Sequence, residues 1–475
     1  MKSPPTSFSG ANLGARTGLS SFQSTDLNKH TEKSYYLENL GCAKNQVDAE
    51  VMMSALHDSG WLRLTEPDGA SVIIVNSCGF IQPAKEESIQ TSLRFHEQYP
   101  AAKVVMAGCL SERYGAQLSE GMPEVSGFFG NRRPELIAGF LDRVLASAGE
   151  VFLPAYDAGP AGWRIPRRRE LLSFPGSAYV KIAEGCNNRC AFCAIPLIRG
   201  NLRSRSVDDV VDEIGELHSR GIREVNLVAH DLNSFGRDRR SEEDLTILLD
   251  RIRGLPGRFW VRLLYLYPET FPESVLGIVG SDPRFLPYFD LPMQHASAGI
   301  LEAMGRKGRK QSYLDLVARI RSALPGAVIR STFLVGYPGE TDDDFAELLE
   351  FQNQAQFEWL GVFSFSAEEG TRAHAQQRSR GRIPAGVTTA RRTAIEAGQK
   401  QITEGRLDRF VGTEMDVLVE ERIEKENLYL ARGYPHAPEV DGLVVVLSAS
   451  MTTGEFARVR ITRRNGIDFE AIPIR

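Results

Sequence analysis

Six cysteines carry the chemistry that this sequence could perform, and they fall into two groups of three. Cys186, Cys190 and Cys193 lie within eight residues of one another, in the spacing Cys-x-x-x-Cys-x-x-Cys. One loop can wrap thiolates at this spacing around a single soft-metal centre. A four-iron cluster held by three thiolates keeps one iron open to a small molecule, whereas structural zinc sites normally have four protein ligands. The spacing therefore predicts a 4Fe-4S cluster with an open iron.

The loop that carries these cysteines follows the apolar run 178–182, which we interpret as a buried strand. Open parallel sheets and barrels place their sites at such strand ends. The alternatives are a zinc site with three cysteines and one histidine, or thiols that bind nothing. The loop itself contains no histidine.

The second group consists of Cys42, Cys78 and Cys109, and each of these follows a strand-like run. Helix-like sequence comes next, as in 48–59 and 83–97, and such alternation indicates parallel strands. The carboxyl ends of parallel strands share one sheet edge, so we predict that the three thiols converge on a second cluster. The alternative for each cysteine alone is a small buried apolar side chain.

Composition is that of an ordinary globular protein. The chain has 475 residues, 42% of them hydrophobic and 25% charged, with a formal net charge of -5. It has neither a long apolar run nor a signal-peptide segment, so we expect a cytoplasmic protein without a membrane anchor. In that reducing compartment, six cysteines favour metal ligation over disulfides.

The chain is predicted to be an α/β protein with three folded domains. Residues 1–32 are rich in Ser, Gly, Thr and Pro, so we expect a disordered tail rather than a targeting peptide. We expect an amino-terminal parallel-sheet cluster domain at 33–149, a linker at 150–171 and a partial (β/α)6 barrel at 172–402. A small antiparallel β-barrel of short strands should occupy 403–475. The six barrel strands centre on Val180, Leu227, Leu264, Phe289, Phe333 and Phe363.

Several motifs resemble those of the methylthiotransferase family of radical S-adenosylmethionine (SAM) enzymes. They are LGCAKNQVDAE, NSCGFI, AGCLSERYG, KIAEGCNNRCAFCAIP and RGNLRSRS. LLYLYPE, LPMQH and APEVDG resemble the branch that modifies an aspartate of a small-subunit ribosomal protein, whereas related branches modify adenosines of transfer RNA. This sequence departs from the branch pattern at Ala43, where Pro is more common, and at His230, where Gln is more common.

The resemblance implies two 4Fe-4S clusters, SAM and an electron donor. The barrel cluster would bind and cleave SAM, and the resulting radical would take hydrogen from the β-carbon of the aspartate. The amino-terminal cluster would deliver the methylthio group, which makes the protein a transferase. Cofactors carry such chemistry because no amino-acid acid or base can activate that carbon.

Polar residues at the predicted strand ends are candidates to bind SAM. They are Asp231, Asn233, Tyr267, Gln294, Arg330 and Thr332. His295 is a candidate base or metal ligand, although a lone histidine is more often a structural hydrogen-bonding residue. Glu340 invites a catalytic interpretation, but Thr341 and Asp344 suggest a capping box, which would give Glu340 a role at a helix start.

The carboxyl-terminal domain resembles a TRAM domain, a type that often binds RNA. Residues 403–475 contain 10 Lys and Arg against 13 Asp and Glu, a net charge of -3. This balance favours a basic ribosomal protein over RNA, through exposed carboxylates such as Glu439 and Asp441. We therefore expect no stable tRNA binding. A local basic face remains an alternative, built from Arg458, Arg460, Arg463 and Arg464.

Three hypotheses follow. The first is an aspartate methylthiotransferase that acts on a small-subunit ribosomal protein. The second is a tRNA adenosine methylthiotransferase, and the third is a non-catalytic iron-sulfur scaffold that binds the ribosome. Two three-thiolate sites with open irons argue against the third, and the acidic carboxyl-terminal domain favours the first over the second.

Overall fold

A computed structural model describes residues 33–147, 149–156, 163–239, 241–424 and 426–474. The expected disordered tail lies outside these residues. No helix in the described ranges is long and apolar enough to cross a membrane.

The amino-terminal domain is built on one parallel sheet. Its strands are β1 (Ser34–Asn39), β2 (Leu62–Arg63), β3 (Val72–Ser77), β4 (Lys103–Gly108), β5 (Gly127–Phe129) and β6 (Glu150–Phe152). The order across the sheet is β2-β1-β3-β4-β5-β6. Every residue of β3 is buried, as expected for a central strand covered on both faces. The last strand, β6, falls in the segment that we expected to be a linker, because it continues the sheet beside β5.

Four helices cover this sheet: α1 (Ala43–Asp58), α2 (Gln82–Gln98), α3 (Cys109–Gly121) and α4 (Ile137–Ala146). Helix α1 begins five residues earlier than the sequence indicated. Its first turns carry polar side chains that are nevertheless buried, among them Lys44, Asn45 and Asp48. These residues contact other domains, and polar contacts of this kind leave no apolar periodicity in the sequence.

The central domain is an open barrel of six parallel strands, as predicted. The strands are β7 (Ser177–Lys181), β10 (Glu224–Val228), β11 (Trp260–Leu263), β12 (Phe285–Gln294), β13 (Val328–Val335) and β14 (Trp359–Ser364). They neighbour one another in the order β14-β13-β12-β11-β10-β7. A separate short pair, β8 (Ala183–Glu184) and β9 (Arg203–Ser204), frames the loop that carries Cys186, Cys190 and Cys193.

Within the described ranges, nine helices belong to this domain. They are α5 (Ile195–Arg199), α6 (Val207–Ser219), α7 (Leu245–Arg253), α8 (Ser274–Ser281), α9 (Ala298–Ala303), α10 (Lys310–Ala323), α11 (Asp342–Ala355), α12 (Arg372–Arg380) and α13 (Ala385–Leu407). The Ser206, Asp244 and Thr341 side chains cap the amino ends of α6, α7 and α11 by accepting backbone N–H bonds.

The carboxyl-terminal domain is a closed five-stranded barrel. Its strands are β15 (Glu414–Ile423), β16 (Leu428–Gly433), β17 (Val444–Leu447), β18 (Phe456–Asn465) and β19 (Asp468–Pro473). The order around the barrel is β15-β16-β17-β19-β18. The pairing is antiparallel as predicted, except that β17 and β19 run parallel. The sequence analysis had not identified β19, which closes the barrel.

This small barrel covers the amino ends of the central strands. The first residue of β11, Trp260, packs against Phe456 with ring centroids 4.6 Å apart. The first residue of β14, Trp359, donates to the Pro435 carbonyl at 2.7 Å. Because the amino ends are covered in this way, the carboxyl ends of the strands are left to form the site.

Candidate functional site: two groups of cysteines

The barrel cysteines lie on a loop after β7 that backbone hydrogen bonds hold in place. The Cys186 N–H donates to the Gly200 carbonyl, and the Ala191 N–H donates to Met304 at 2.7 Å. Gly185 has φ +72, and a Cβ there would lie 2.2 Å from the Asn201 carbonyl oxygen. Only glycine fits this close approach without strain. Backbone hydrogen bonds and the close approach at Gly185 therefore hold the loop in place.

Burial raises the pKa of the thiols in this loop. The pKa of Cys186 rises to about 12 despite the backbone N–H of Asn188, which donates to its sulfur at 3.4 Å. Burial also raises the pKa of Cys190, against the opposing effect of Arg306. Metal ligation requires thiolates, so a bound cluster would replace protons here.

The amino-terminal cysteines lie at the carboxyl edge of their sheet, as predicted. Cys42 precedes α1, Cys78 follows β3 and Cys109 begins α3. The Coulombic effects of Cys42 and Cys109 both act to raise the pKa of Cys78, which burial brings to about 12. A Cβ at Gly79 would lie 2.7 Å from the Cys109 carbonyl oxygen, so the chain segments that carry Cys78 and Cys109 approach closely.

The Cys109 sulfur is surrounded by hydrogen-bond donors. The buried Arg199 donates to it at 3.0 Å, and the Asn131 amide donates at 3.5 Å. Such donors stabilise the negative charge of a thiolate ligand and tune a bound cluster. Near Cys42, burial opposes ionisation, but the Lys44 ammonium and the Asn45 N–H outweigh it and lower the pKa of that thiol.

The two cysteine groups are close neighbours. Cys109 packs in one apolar cluster with Ala194 and Ile198, and Ala194 directly follows Cys193. Arg199, which donates to Cys109, ends the helix that begins two residues after Cys193. Chemistry at one group would therefore occur within a few side chains of the other.

Both groups consist of free cysteines, the ligand type of iron-sulfur clusters. All six cysteines are free, so each can ligate as a thiolate. In the part of the chain that the structure describes, no three His, Cys, Asp or Glu side chains converge closely enough to hold one metal ion. A four-iron cluster differs because each thiolate binds its own iron, so the three sulfurs stand apart. The donor type, three free thiols in each group, is that of the clusters that the sequence predicts.

Three predicted SAM-binding residues lie around the barrel loop. The Asn188 amide donates to Asp231 Oδ2 at 2.8 Å, which ties Asp231 to the cysteine loop. The Asn233 amide donates to the Tyr267 carbonyl at 2.7 Å, and Asn233 Oδ1 is buried without a partner. A buried carbonyl oxygen without a donor suits a ligand hydroxyl or amine.

Gln294 and Thr332 lie on neighbouring strands, and neither forms a side-chain hydrogen bond within the described residues. Gln294 ends β12 with φ +70, and Tyr265, just beyond β11, has φ +65. Such conformations are strained for non-glycine residues and cluster at functional sites. Arg330 is placed differently, near the amino end of β13, where it forms an ion pair with Asp441 at 2.6 Å.

His295 and Glu340 are buried side chains whose hydrogen bonds hold the local structure. The Ser297 N–H donates to His295 Nδ1 at 3.0 Å, and burial lowers the pKa of this histidine to about 4. Glu340 accepts the backbone N–H groups of Gly336 and Tyr337 at 2.7 and 3.1 Å and pairs with Arg391. The capping box of Thr341 and Asp344 is confirmed.

The polar side of α1 joins the two domains, and the sequence pattern did not reveal this contact. Asp48 pairs with Lys181 and with Arg199, and Glu50 pairs with Arg168, all buried. The signal was present in the sequence, because residues 44–50 place five charged or amide side chains on a helix that does not show one polar face.

A second contact between these domains involves Glu368 in the loop after β14. Its carboxylate is 2.9 Å from Lys85 and 2.5 Å from Arg113, and its side chain is 2% exposed. Arg113 also donates to the Gly79 carbonyl at 3.2 Å, directly beside Cys78. We call this group, Glu368 with Lys85 and Arg113, the interdomain clamp.

Family models match all three domains. Uncharacterized protein family UPF0004 matches residues 34–130, the Radical SAM superfamily matches 180–351 and the TRAM domain matches 411–474. Among solved structures, the radical SAM methyltransferase TsrM from Kitasatospora setae is similar with a TM-score of 0.49 and 16% identity, covering 70% of this chain and 72% of that chain.

Curated relatives match almost the whole chain. The ribosomal protein uS12 methylthiotransferase RimO of Treponema denticola is 41% identical, covering 91% of this chain and 99% of its own length. RimO of Aquifex aeolicus is 40% identical, covering 90% of this chain and 94% of its own. Identity at this level over complete domains reflects shared ancestry and fold, so this chain belongs to the RimO family of radical SAM methylthiotransferases.

Proposed function

We propose that this protein adds a methylthio group to the β-carbon of an aspartate in ribosomal protein uS12. The observation that carries the proposal is the adjacency of two three-cysteine groups, with Arg199 of the barrel domain bonded to Cys109 of the other domain. Radical generation and sulfur delivery at adjacent centres can act on one substrate carbon. The relatives' names supply uS12 as the substrate.

Two 4Fe-4S clusters and SAM are part of the proposal. Cys186, Cys190 and Cys193 would hold one cluster, and Cys42, Cys78 and Cys109 the other. When bound, SAM and its cluster supply the carbon radical that removes hydrogen from the substrate. SAM cleavage consumes one electron, so an electron donor is also required.

The chain's own residues would orient SAM and exclude water. Asn233 Oδ1 and the side chains of Gln294 and Thr332 form no hydrogen bond to a described residue, so they are available to SAM. Asp231 accepts a hydrogen bond from Asn188 of the cysteine loop, and the Tyr267 carbonyl accepts one from Asn233. Arg330 is engaged by Asp441, so any contact with SAM would require it to leave this partner. The interdomain clamp closes one side of the site, and a closed site protects a reactive radical from side reactions.

The surface of the carboxyl-terminal barrel supports a protein partner over tRNA. The four arginines considered for a basic face each lie within 4 Å of a carboxylate: Arg458 with Asp416, Arg460 with Glu414, Arg463 with Glu470 and Arg464 with Asp408. Arginines paired in this way offer little net charge to phosphates. A ribosomal substrate also implies that the protein acts in the cytoplasm.

One predicted contact with the substrate was wrong. Asp441 is not an exposed carboxylate, since its side chain is buried and accepts hydrogen bonds from Tyr288 at 2.6 Å and from the Ala437 N–H at 2.9 Å. Its charge is used to attach the small barrel to the central barrel. Glu439 in the same loop is exposed and stays a candidate contact.

Mass spectrometry of uS12 and of transfer RNA from cells that lack this gene tests the proposal. We expect one aspartate-containing uS12 peptide to lose a mass increment of one methylthio group, with tRNA nucleosides unchanged. Loss of a methylthio-adenosine with uS12 unaffected would instead establish the tRNA enzyme as the correct alternative.

Iron analysis tests the two-cluster part separately. Anaerobically reconstituted protein should contain about eight irons, and replacing the three barrel cysteines by Ala should leave about four. Replacing Cys42, Cys78 and Cys109 instead should preserve reductive SAM cleavage and abolish methylthio transfer. Zinc in place of iron, or iron that does not fall by half, would contradict the two-cluster proposal.

A further inference from the structure

One buried cation near the two cysteine groups has no counter-ion. The described part of the chain contains nine buried lysines and arginines. Eight of them lie within 4 Å of a carboxylate: Arg168, Lys181, Arg199, Arg205, Arg262, Arg306, Arg391 and Arg432. Lys44 is the exception. Lys44 is 5% exposed. Among the described residues, the Tyr265 side chain is a hydrogen-bonding neighbour of its ammonium, and no carboxylate forms an ion pair with it.

A buried ammonium without a counter-ion is costly, since desolvation is then not offset by an opposite charge. The ammonium of Lys44 lies 3.4 Å from the ring centroid of Tyr265. A cation over an aromatic face recovers only part of the desolvation cost. The nearby carboxylate of Asp290 is used elsewhere, because it accepts the Tyr265 N–H at 3.0 Å and faces Arg330 at 3.8 Å. No carboxylate of the described residues is therefore left to form an ion pair with Lys44, and the Cys42 sulfur is the nearby protein group that its charge favours as an anion.

The location of Lys44 indicates which substrate anion its ammonium would meet. Lys44 is two residues from Cys42, and Tyr265 follows the end of β11, at the carboxyl ends of the barrel strands. Lys44 therefore lies where the amino-terminal cysteines meet the mouth of the barrel. A substrate that receives the methylthio group must place its reacting carbon in this space, and the carboxylate of an aspartate is bonded directly to that carbon.

We infer that Lys44 binds the side-chain carboxylate of the substrate aspartate and so determines specificity for aspartate. This inference rests on the proposed function. The strained backbone of Tyr265 holds the ring beneath the ammonium, and the ring keeps the ammonium directed into the site. Neither Asn nor an adenine base could neutralise Lys44, so both would leave a buried charge unpaired.

A double-mutant cycle on binding tests the inference. The four combinations are the reconstituted wild-type or Lys44→Met enzyme with intact uS12 or uS12 in which the modified aspartate is Asn. The wild type should bind the Asp form at least about tenfold more tightly than the Asn form, since close charge pairs show coupling of this size. Lys44→Met should bind the two forms with equal affinity, and Lys44→Arg should restore part of the preference.

Iron content, the circular dichroism spectrum and the midpoint potential of the amino-terminal cluster are measured for each variant. If Lys44→Met keeps the full preference for the Asp form, the inference is wrong. Equal weakening for both forms together with a shifted midpoint potential would also overturn it, because Lys44 would then compensate the charge of the cluster. Failure of the wild type to modify uS12 at all would refute the proposed function instead.

Discussion

The interdomain clamp gives a prediction whose size follows from its burial. Glu368→Gln keeps the shape of the side chain but leaves Lys85 and Arg113 buried without a carboxylate. Removal of one partner from a buried ion pair costs about 3–5 kcal/mol. Lys85 is 13% exposed and Arg113 retains the Gly79 carbonyl, so we expect the lower end, about 3 kcal/mol. This corresponds to a roughly hundredfold smaller equilibrium constant for the closed clamp over the open one.

Hydrogen-exchange mass spectrometry of the apo-protein measures this effect. Protection of the segments 79–85 and 366–371 should fall by up to about a hundredfold, because these segments open together when the clamp is lost. Glu350→Gln is the matched control. It removes the pair of Lys310 with Glu350, which has the same charge chemistry but is 58% exposed at the carboxylate. Solvent screens exposed pairs, which contribute little to stability, so exchange should barely change.

The clamp should also respond to pH. Burial opposes ionisation of Glu368, but hydrogen bonds from Ser366, Lys85 and Arg113 outweigh it and lower its pKa. A lowered pKa stabilises the closed form above the ordinary glutamate value of about 4.3, and this contribution is lost as the pH falls further. Unchanged exchange in Glu368→Gln at pH 7 would refute the view that this charge holds the domains together.

Three further predictions concern other buried polar residues. In protein without the barrel cysteines, Arg199→Met should lower the midpoint potential of the remaining cluster by about 60 mV, which is a tenfold change in equilibrium constant for one electron. Arg199→Lys should give an intermediate potential, and EPR-monitored redox titrations measure both variants. Arg432→Met should destabilise the protein by about 3 kcal/mol in denaturant unfolding, because Glu224 loses a buried partner. Burial raises the pKa of Glu224, but its arginine partners outweigh this effect and lower the pKa to about 2. Arg460→Met removes an exposed pair and should cost less than about 1 kcal/mol. His230→Gln should retain methylthio transfer to uS12, because burial and Lys44 lower the pKa of His230 to about 3 and the ring is neutral at pH 7.

Local sequence patterns were sufficient for the architecture. Strand and helix periodicities are set by neighbours along the chain, so six parallel strands, the capping box at Thr341 and the position of each cysteine after a strand could be predicted. Parallel pairing then implied that Cys42, Cys78 and Cys109 share one sheet edge. The element that was missed, β19, is short and pairs in part with a parallel strand, which turn signals do not reveal.

The charged residues around the site could not be predicted in the same way. Asp441 was predicted to be a surface carboxylate, yet it pairs with Arg330, which is 111 positions away in the sequence. The RGNLRSRS stretch pointed to a family, but not to the contact between Arg199 and Cys109, which are 90 residues apart.

The sequence by itself determined the six cysteines that we propose as cluster ligands, their spacing and the order of the domains, because these depend on residue type and on short-range geometry. Only the tertiary structure decided which buried charges are neutralised. Desolvation depends on the carboxylates that folding brings within a few ångströms, and such partners come from distant parts of the chain. Lys44 is therefore an ordinary helix residue in the sequence and, in the folded protein, a buried cation without a carboxylate partner among the described residues.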